Sequence, residues 1–227
     1  MEKRPFMIIA VDGPAGAGKG TLAHHLAHIY SLECLDTGLL YRAVAFKILK
    51  AGDDLHDKEA AGKAAQFLQR EDLHNPLLRS EEIGNGASIV ATFSEVRAPL
   101  LEFQRNFASN TPKNKQGVIL DGRDIGLVVL PEAPCKIFVT ASPRVRAERR
   151  LKELHQKKNY SIFEDVLEDI EERDTRDRLR KLSPLRPAED SFILDTSELE
   201  IDDVVEKASV FVDLIYPHAQ KKTDYEW

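Results

Sequence analysis

The segment Gly13-Pro14-Ala15-Gly16-Ala17-Gly18-Lys19-Gly20-Thr21 lies between an apolar run, Phe6–Val11, and a stretch with helical patterning. Glycines at these spacings let successive backbone N–H groups turn inward without Cβ clashes. Lys19 and the positive end of the following helix add charge facing an anion. The segment therefore reads as a phosphate cradle, and its spacing predicts binding of a nucleoside triphosphate. A glycine-rich turn of no special purpose is the bland alternative, against which the strand, the lysine and the helix all argue. The ending is unusual. Such a loop normally closes Gly-Lys-Ser/Thr, whereas here Gly20 follows Lys19 and Thr21 comes one place later.

Other charged groups could act beside the cradle. Asp121 closes the run Val118-Ile-Leu-Asp, at a strand end where a carboxylate can hold Mg²⁺ or its water shell. A turn-forming Asp before Gly122 is the alternative, but Arg123 and Asp124 follow at once and charge the turn heavily. Two basic clusters stand out: Arg144, Arg146, Arg149, Arg150 and Lys152, with Lys157 and Lys158 beyond them, then Arg173, Arg176, Arg178, Arg180 and Lys181. Asp169–Arg173, Glu172–Arg176, Asp174–Arg178 and Asp177–Lys181 are i,i+4 pairs of the kind found on solvated helix faces. Equally, Arg173, Asp177 and Arg180 recur at i, i+4, i+7, and an Arg-Asp-Arg face could grip a sugar hydroxyl and phosphates together. The pattern alone supports both readings. His24 and His28 have a zinc-compatible spacing but no third ligand or glutamate base in a metalloprotease pattern.

These groups need a scaffold that gathers them. Short apolar runs at Phe6–Val11, Glu33–Leu35, Val118–Leu120, Lys136–Thr140 and Ser191–Leu194 are bounded by Asp, Gly or Pro, as expected of parallel strands buried on both faces. Helical patterns alternate with them. Ser142-Pro143 predicts an N-cap with proline in the first turn of a helix reaching about Leu154. Ser161–Glu164 reads as a capping box for a helix running toward Lys181, and the polar, basic break between the two suggests a mobile lid. Residues 55–75 look helical, Asn75-Pro76 interrupts, and Glu81–Phe107 reads as one long helical stretch. Alternation of this kind predicts a parallel sheet covered by helices on both sides, with ligands at the carboxyl ends of the strands. Asp12, Asp36, Asp121 and Asp195 all fall there.

Composition narrows the class further. With 227 residues, 42% hydrophobic and 31% charged, the chain suits a folded α/β unit with small inserted lobes. A net charge of −6, from 38 acidic and 32 basic residues, does not favour nucleic acid or an anionic membrane as partner. Cys34 and Cys135 form no metal or redox motif and read as reduced thiols, and the N-terminal apolar run is too short to serve as a signal or membrane segment. A cytoplasmic location is the expectation.

Taken in order, Gly13–Thr21, Asp36-Thr37-Gly38-Leu39-Leu40-Tyr41-Arg42, Asp121-Gly122-Arg123-Asp124 and Arg173-Asp174-Thr175-Arg176-Asp177-Arg178 resemble the bacterial cytidylate kinases, over essentially the whole chain. Adenylate kinases share the Gly-Lys-Gly-Thr ending but carry Asp-Gly-Phe-Pro-Arg where this chain has Asp121-Gly-Arg-Asp. Small GTPases need an Asn-Lys-x-Asp motif, which Asn114-Lys115-Gln116-Gly117 does not supply. The resemblance implies a P-loop three-layer α/β/α sandwich on a five-stranded parallel sheet. Residues 1–36 and 111–227 would form its core, 37–110 a monophosphate-binding insertion, and about 151–162 a lid. It implies ATP-dependent, Mg²⁺-assisted phosphorylation of CMP and dCMP by a monomer. Residues 13–21 would bind ATP. Thr37, Arg42, Arg123 and Arg180 would hold the CMP phosphate, and Arg173 with Asp177 the ribose. Ser88, Arg97 and Asp124 would read the base, with Tyr41 packing nearby. Lys19, Arg123, Arg180, Arg149 and Arg150 would act on the transferring group, and Asp121 would reach Mg²⁺ through water. The stretch from Asp53 to Ser88 departs from the pattern: it is shorter than in many members and lacks alternating strand runs. Another small-molecule kinase, of adenylate or shikimate type, and a nucleotide-sensing module without catalysis are the rival readings.

Overall fold

The computed structural model describes residues 6–156 and 160–222. Five strands, β1 (Met7–Asp12), β2 (Leu32–Asp36), β3 (Gly117–Gly122), β4 (Cys135–Thr140) and β5 (Phe192–Asp195), are joined by helices. In chain order these are α1 (Lys19–Ile29), α2 (Gly38–Ala51), α3 (Lys58–Gln66), α4 (Glu81–Val90), α5 (Ser94–Ser109), α6 (Pro143–Gln156), α7 (Phe163–Leu179) and α8 (Ile201–Ile215). The chain divides into two units: Met1–Leu35 with Thr111–Leu179 and Ser183–Trp227, and Asp36–Asn110 with Arg180–Leu182.

In the first unit the sheet runs β2-β3-β1-β4-β5. β1 pairs in parallel with β3, Ile9 opposite Ile119, and with β4, Ile9 opposite Cys135; β4 pairs in parallel with β5. β1, β3 and β4 are buried along nearly their whole length, which is why their sequences are mostly apolar, interrupted in β4 by Lys136, whose Nζ donates to Asp190 at 2.8 Å. Met7, Ile9, Val11, Ile119, Ile137 and Val139 form one core with Leu22 and Leu26 of α1 and Val204, Ala208 and Val212 of α8. α6 and α7 pack through Ala147, Leu154, Val166 and Ile170. Ser142 caps α6 as its sequence predicts, accepting from the Val145 amide at 3.3 Å. This is an α/β fold with a five-stranded sheet flanked by helices.

The second unit pairs α2 with α4 and α3 with α5. Between residues 37 and 110 the described residues include no strand. Sequence patterning overextends its helices. Of residues 55–75, only α3 is α-helical; Arg70–His74 and Pro76–Arg79 are 3₁₀ turns, the second opened by Asn75 accepting from the Leu77 amide. The expected continuous helix over Glu81–Phe107 breaks at residues 91–93 into α4 and α5. There the Thr92 hydroxyl donates to the Ile89 carbonyl at 2.7 Å, and the Arg97 guanidinium donates to the Ala91 carbonyl at 3.1 Å. These side chains satisfy carbonyls that an uninterrupted helix would pair through its backbone.

Candidate active site

In the first unit, the loop after β1 enters α1 through glycines with positive φ at Gly13, Gly16 and Gly18. At Gly13 the need for glycine is steric as well as torsional: a Cβ would stand 1.9 Å from the Val139 carbonyl oxygen of β4. Lys19, buried at the first position of α1, donates through Nζ to the Pro14 carbonyl at 2.8 Å and so spans the cradle. The side chain of Asp121, at the end of β3, reaches the same place, its Oδ2 only 3.2 Å from where a Gly20 Cβ would stand. A serine at position 20 would crowd that carboxylate. Among the described residues no group of three or more His, Cys, Asp or Glu side chains is arranged to hold a metal ion. The donor set is instead one buried carboxylate beside a phosphate cradle, which fits a cation held chiefly by phosphate oxygens and water. His24 Nδ1 donates to the Gly20 carbonyl at 2.7 Å, one turn back on its own helix.

The turn after β3 carries Arg123 and Asp124. Arg123 Nε donates to Asp177 Oδ2 of α7 at 3.0 Å, so Asp177 engages Arg123 across the fold. Asp124 is buried and leads into a short π-helical turn, Ile125–Val129. That turn is clamped by a residue sequence reading placed only at a strand end. Asp12 accepts the Ile125 amide at 2.8 Å and the Gly126 amide at 2.7 Å. Burial pushes the Asp12 carboxyl up to about 6, helped by the neighbouring Asp124 charge and opposed by the two amides and Lys19.

α6 and α7 supply the basic groups, in a distribution the sequence did not disclose. Arg149 donates to the Thr196 hydroxyl at 3.0 Å and to its carbonyl at 2.6 Å; Thr196 in turn donates to the Ala17 carbonyl of the cradle at 3.2 Å. Arg150 pairs with Glu153 at 3.1 Å. Arg146, 1% exposed, pairs bidentately with Asp174, 4% exposed, at 3.0 and 2.7 Å. Of the expected helical face Arg173–Asp177–Arg180, the first two residues lie within α7. α7 ends at Leu179, where the chain turns back and the Leu185 amide donates to the Asp177 carbonyl at 2.8 Å. Arg180 therefore falls past the helix and is grouped with the second unit. Glu172–Arg176 and Asp174–Arg178 do approach, at 3.6 and 3.8 Å. Lys157 and Lys158 of the expected lid lie outside the described residues.

In the second unit, Thr37 is buried at the entry to α2, and Tyr41 and Arg42 follow on its first turns. Arg42 donates to the Leu78 carbonyl at 2.7 Å and the Ser80 carbonyl at 3.0 Å, with its guanidinium against Gly84 of α4. Arg97 lies over the Tyr41 ring, 5.5 Å from its centroid, and Ser88 is buried on α4. The candidates Thr37, Tyr41, Arg42, Ser88 and Arg97 thus share one unit, while Arg123, Asp124, Arg173 and Asp177 share the other.

A cradle of backbone amides between a central parallel strand and a helix, with Lys19 and Asp121 at its mouth, defines an α/β phosphotransferase of the P-loop class. A family model described as cytidylate kinase matches residues 9–213. The chain belongs to the cytidylate kinase family. It is 54% identical over 195 residues to a protein named cytidylate kinase from Paramagnetospirillum magneticum, covering 86% of this chain and 92% of that one. It is 47% identical over 215 residues to another of that name from Rhodospirillum rubrum, covering 95% and 100%. A crystal structure of an uncharacterized protein from Eubacterium ventriosum shares the fold, with a TM-score of 0.52 at 13% identity over 93% of this chain and 98% of that one.

Proposed function

We propose that this chain phosphorylates CMP and dCMP to CDP and dCDP with ATP as donor. The observation that carries this reading is the phosphate cradle with Asp121 against Gly20 and, two residues on, Arg123 held by Asp177, in a chain of this family. The nucleophile is a phosphate oxygen of the acceptor, ionised at neutral pH, so no general base is needed. Catalysis reduces to in-line alignment and neutralisation of charge. Lys19 and the backbone N–H groups of the loop Gly13–Thr21, Pro14 having none to give, hold the β- and γ-phosphates. Bound with ATP, Mg²⁺ supplies positive charge across those phosphates, and Asp121 would hold its water shell.

On the acceptor side, Thr37, Arg42, Arg123 and Arg180 hold the CMP phosphate, and Arg173 with Asp177 holds the ribose. Ser88, Arg97 and Asp124 read cytosine while Tyr41 packs beside them. Cytosine offers an N4 donor next to the N3 acceptor, and uracil reverses both, so a carboxylate at Asp124 accepts from one base and repels the other. Arg150, and Arg149 on leaving Thr196, add charge at the transferring group as the lid, about residues 151–162, excludes competing water. Residues 1–36 and 111–227 serve as the donor core and 37–110 as the acceptor insertion. The chain works as a cytoplasmic monomer on small molecules, without nucleic acid or membrane. No helix among the described residues is long and apolar enough to cross a membrane.

ADP release measured with ATP, Mg²⁺ and a panel of CMP, dCMP, UMP, AMP and shikimate tests the assignment. Turnover led by CMP and dCMP is expected. A lead by AMP or shikimate overturns it in favour of another kinase, and tight ATP binding without acceptor-dependent ADP favours a sensor.

A further inference from the structure

Among the described residues, Arg146 is the most deeply buried charged side chain of the first unit, and its guanidinium bonds groups on three other segments. Nε donates to the Ala141 carbonyl at the end of β4, 2.8 Å away. Nη1 donates to the Ala15 carbonyl in the phosphate cradle at 3.2 Å and to Asp174 Oδ1 at 3.0 Å, and Nη2 donates to Asp174 Oδ2 at 2.7 Å. The stem lies against the next cradle residue: a Cβ at Gly16 would stand 3.3 Å from the Arg146 Cβ. Asp174 directly follows Arg173 on α7 and precedes Asp177 by three residues, and Asp177 holds Arg123 at 3.0 Å. One guanidinium thus ties the donor cradle to the helix carrying groups assigned to the acceptor.

We infer that the Arg146–Asp174 pair is a positioning strut that sets the donor cradle in register with α7, and hence with Arg173, Asp177 and Arg123. Neither residue touches the reacting atoms; both act through the groups they hold. The inference rests on the phosphoryl-transfer reading above. Stability gives little reason for such a pair, since well-packed apolar residues of similar volume often replace a buried ion pair with no loss. What apolar residues cannot reproduce is a rigid planar fork with donors aimed at Ala15, Ala141 and both Asp174 oxygens at once. An in-line transfer has use for that rigidity, because a displacement of about 1 Å between donor and acceptor can cost on the order of 100-fold in rate.

The test separates position from folding. In the full chain, the double variant Arg146→Met, Asp174→Leu is expected to keep a thermal midpoint near the parent's while kcat falls about 10- to 100-fold. KM for CMP should stay within about threefold, and each single variant should lose about as much kcat as the pair. A stably folded double variant with parental kcat overturns the strut. Asp174→Asn supplies a readout independent of turnover. Hydrogen exchange at the Gly16–Lys19 amides should quicken while exchange in α8 stays parental; unchanged exchange in the cradle also overturns it. A parent chain that turns over no CMP counts against the assigned reaction alone, because cradle exchange reads the strut without any acceptor.

Discussion

Two single residues, Asp124 and Gly13, carry predictions of their own. Asp124 is buried at the start of a clamped turn, so a carboxylate there is fixed in place before any ligand arrives. If Asp124 reads the base as proposed, alanine there removes the acceptor for cytosine N4 and the repulsion of uracil O4. Asp124→Ala is expected to narrow the CMP/UMP ratio of kcat/KM by about 10- to 100-fold, the range that about 1–3 kcal/mol of lost pairing implies. Equal preference in variant and parent would remove Asp124 from base reading. Gly13 is the steric counterpart. Alanine there sets a Cβ 1.9 Å from a backbone oxygen at φ +146, and neither the strand nor the loop can yield cheaply. Gly13→Ala should destabilise the chain by about 3 kcal/mol or more, seen as a drop in the urea midpoint, and should weaken ATP binding in whatever remains folded.

At the scale of elements, the turn after β3 hangs on Asp12. Its carboxyl is pushed up to about 6 in the fold, above its ordinary 3.8, chiefly by burial. A raised carboxyl favours the folded state most below about pH 4 and loses that contribution as pH rises through about 6. Asp12→Asn abolishes the titration. Relative to the parent, the ligand-free variant should therefore gain stability between pH 4 and pH 7, by up to roughly 3 kcal/mol for a shift of about two pH units. A constant offset set by the lost amide acceptor is superimposed on that gain. Urea unfolding of both chains across that range checks it, and parallel curves would refute the assignment. The same turn shows how elements differ from patterns. Asp12 is visible in the sequence as a strand-end acid, but the π-helical turn it clamps begins 113 residues later, and no local spacing joins them.

At the scale of the whole molecule, Cys135 reports on global opening. It sits fully buried on β4, next to β1, and burial pushes its thiol up to about 12. A thiol reagent at pH 8 should modify Cys135 only as fast as the sheet unfolds, while the less buried Cys34 reacts sooner. Mass-resolved labelling across a urea series checks this. Rapid labelling of Cys135 at zero urea would show that the sheet opens locally.

Much of the chemistry was legible in the chain because it is local. A phosphate cradle is a run of nine residues whose glycine spacing follows from backbone sterics, and strands buried on both faces are mostly apolar. Those two facts disclosed the α/β sheet, the donor loop and the carboxylate at the end of β3. Tertiary structure alone decided which of the many arginines do what. In sequence, Arg146, Arg149 and Arg150 are near-equivalent members of one basic helix. In the fold one is buried against Asp174, one grips Thr196 and one pairs with Glu153. It also decided that α7 stops at Leu179, directly before Arg180. A guanidinium has a long stem and five donors; the partners of Arg146 and Arg149 are brought close by the packing of strands and helices, whereas Arg150 takes a partner three residues along its own helix.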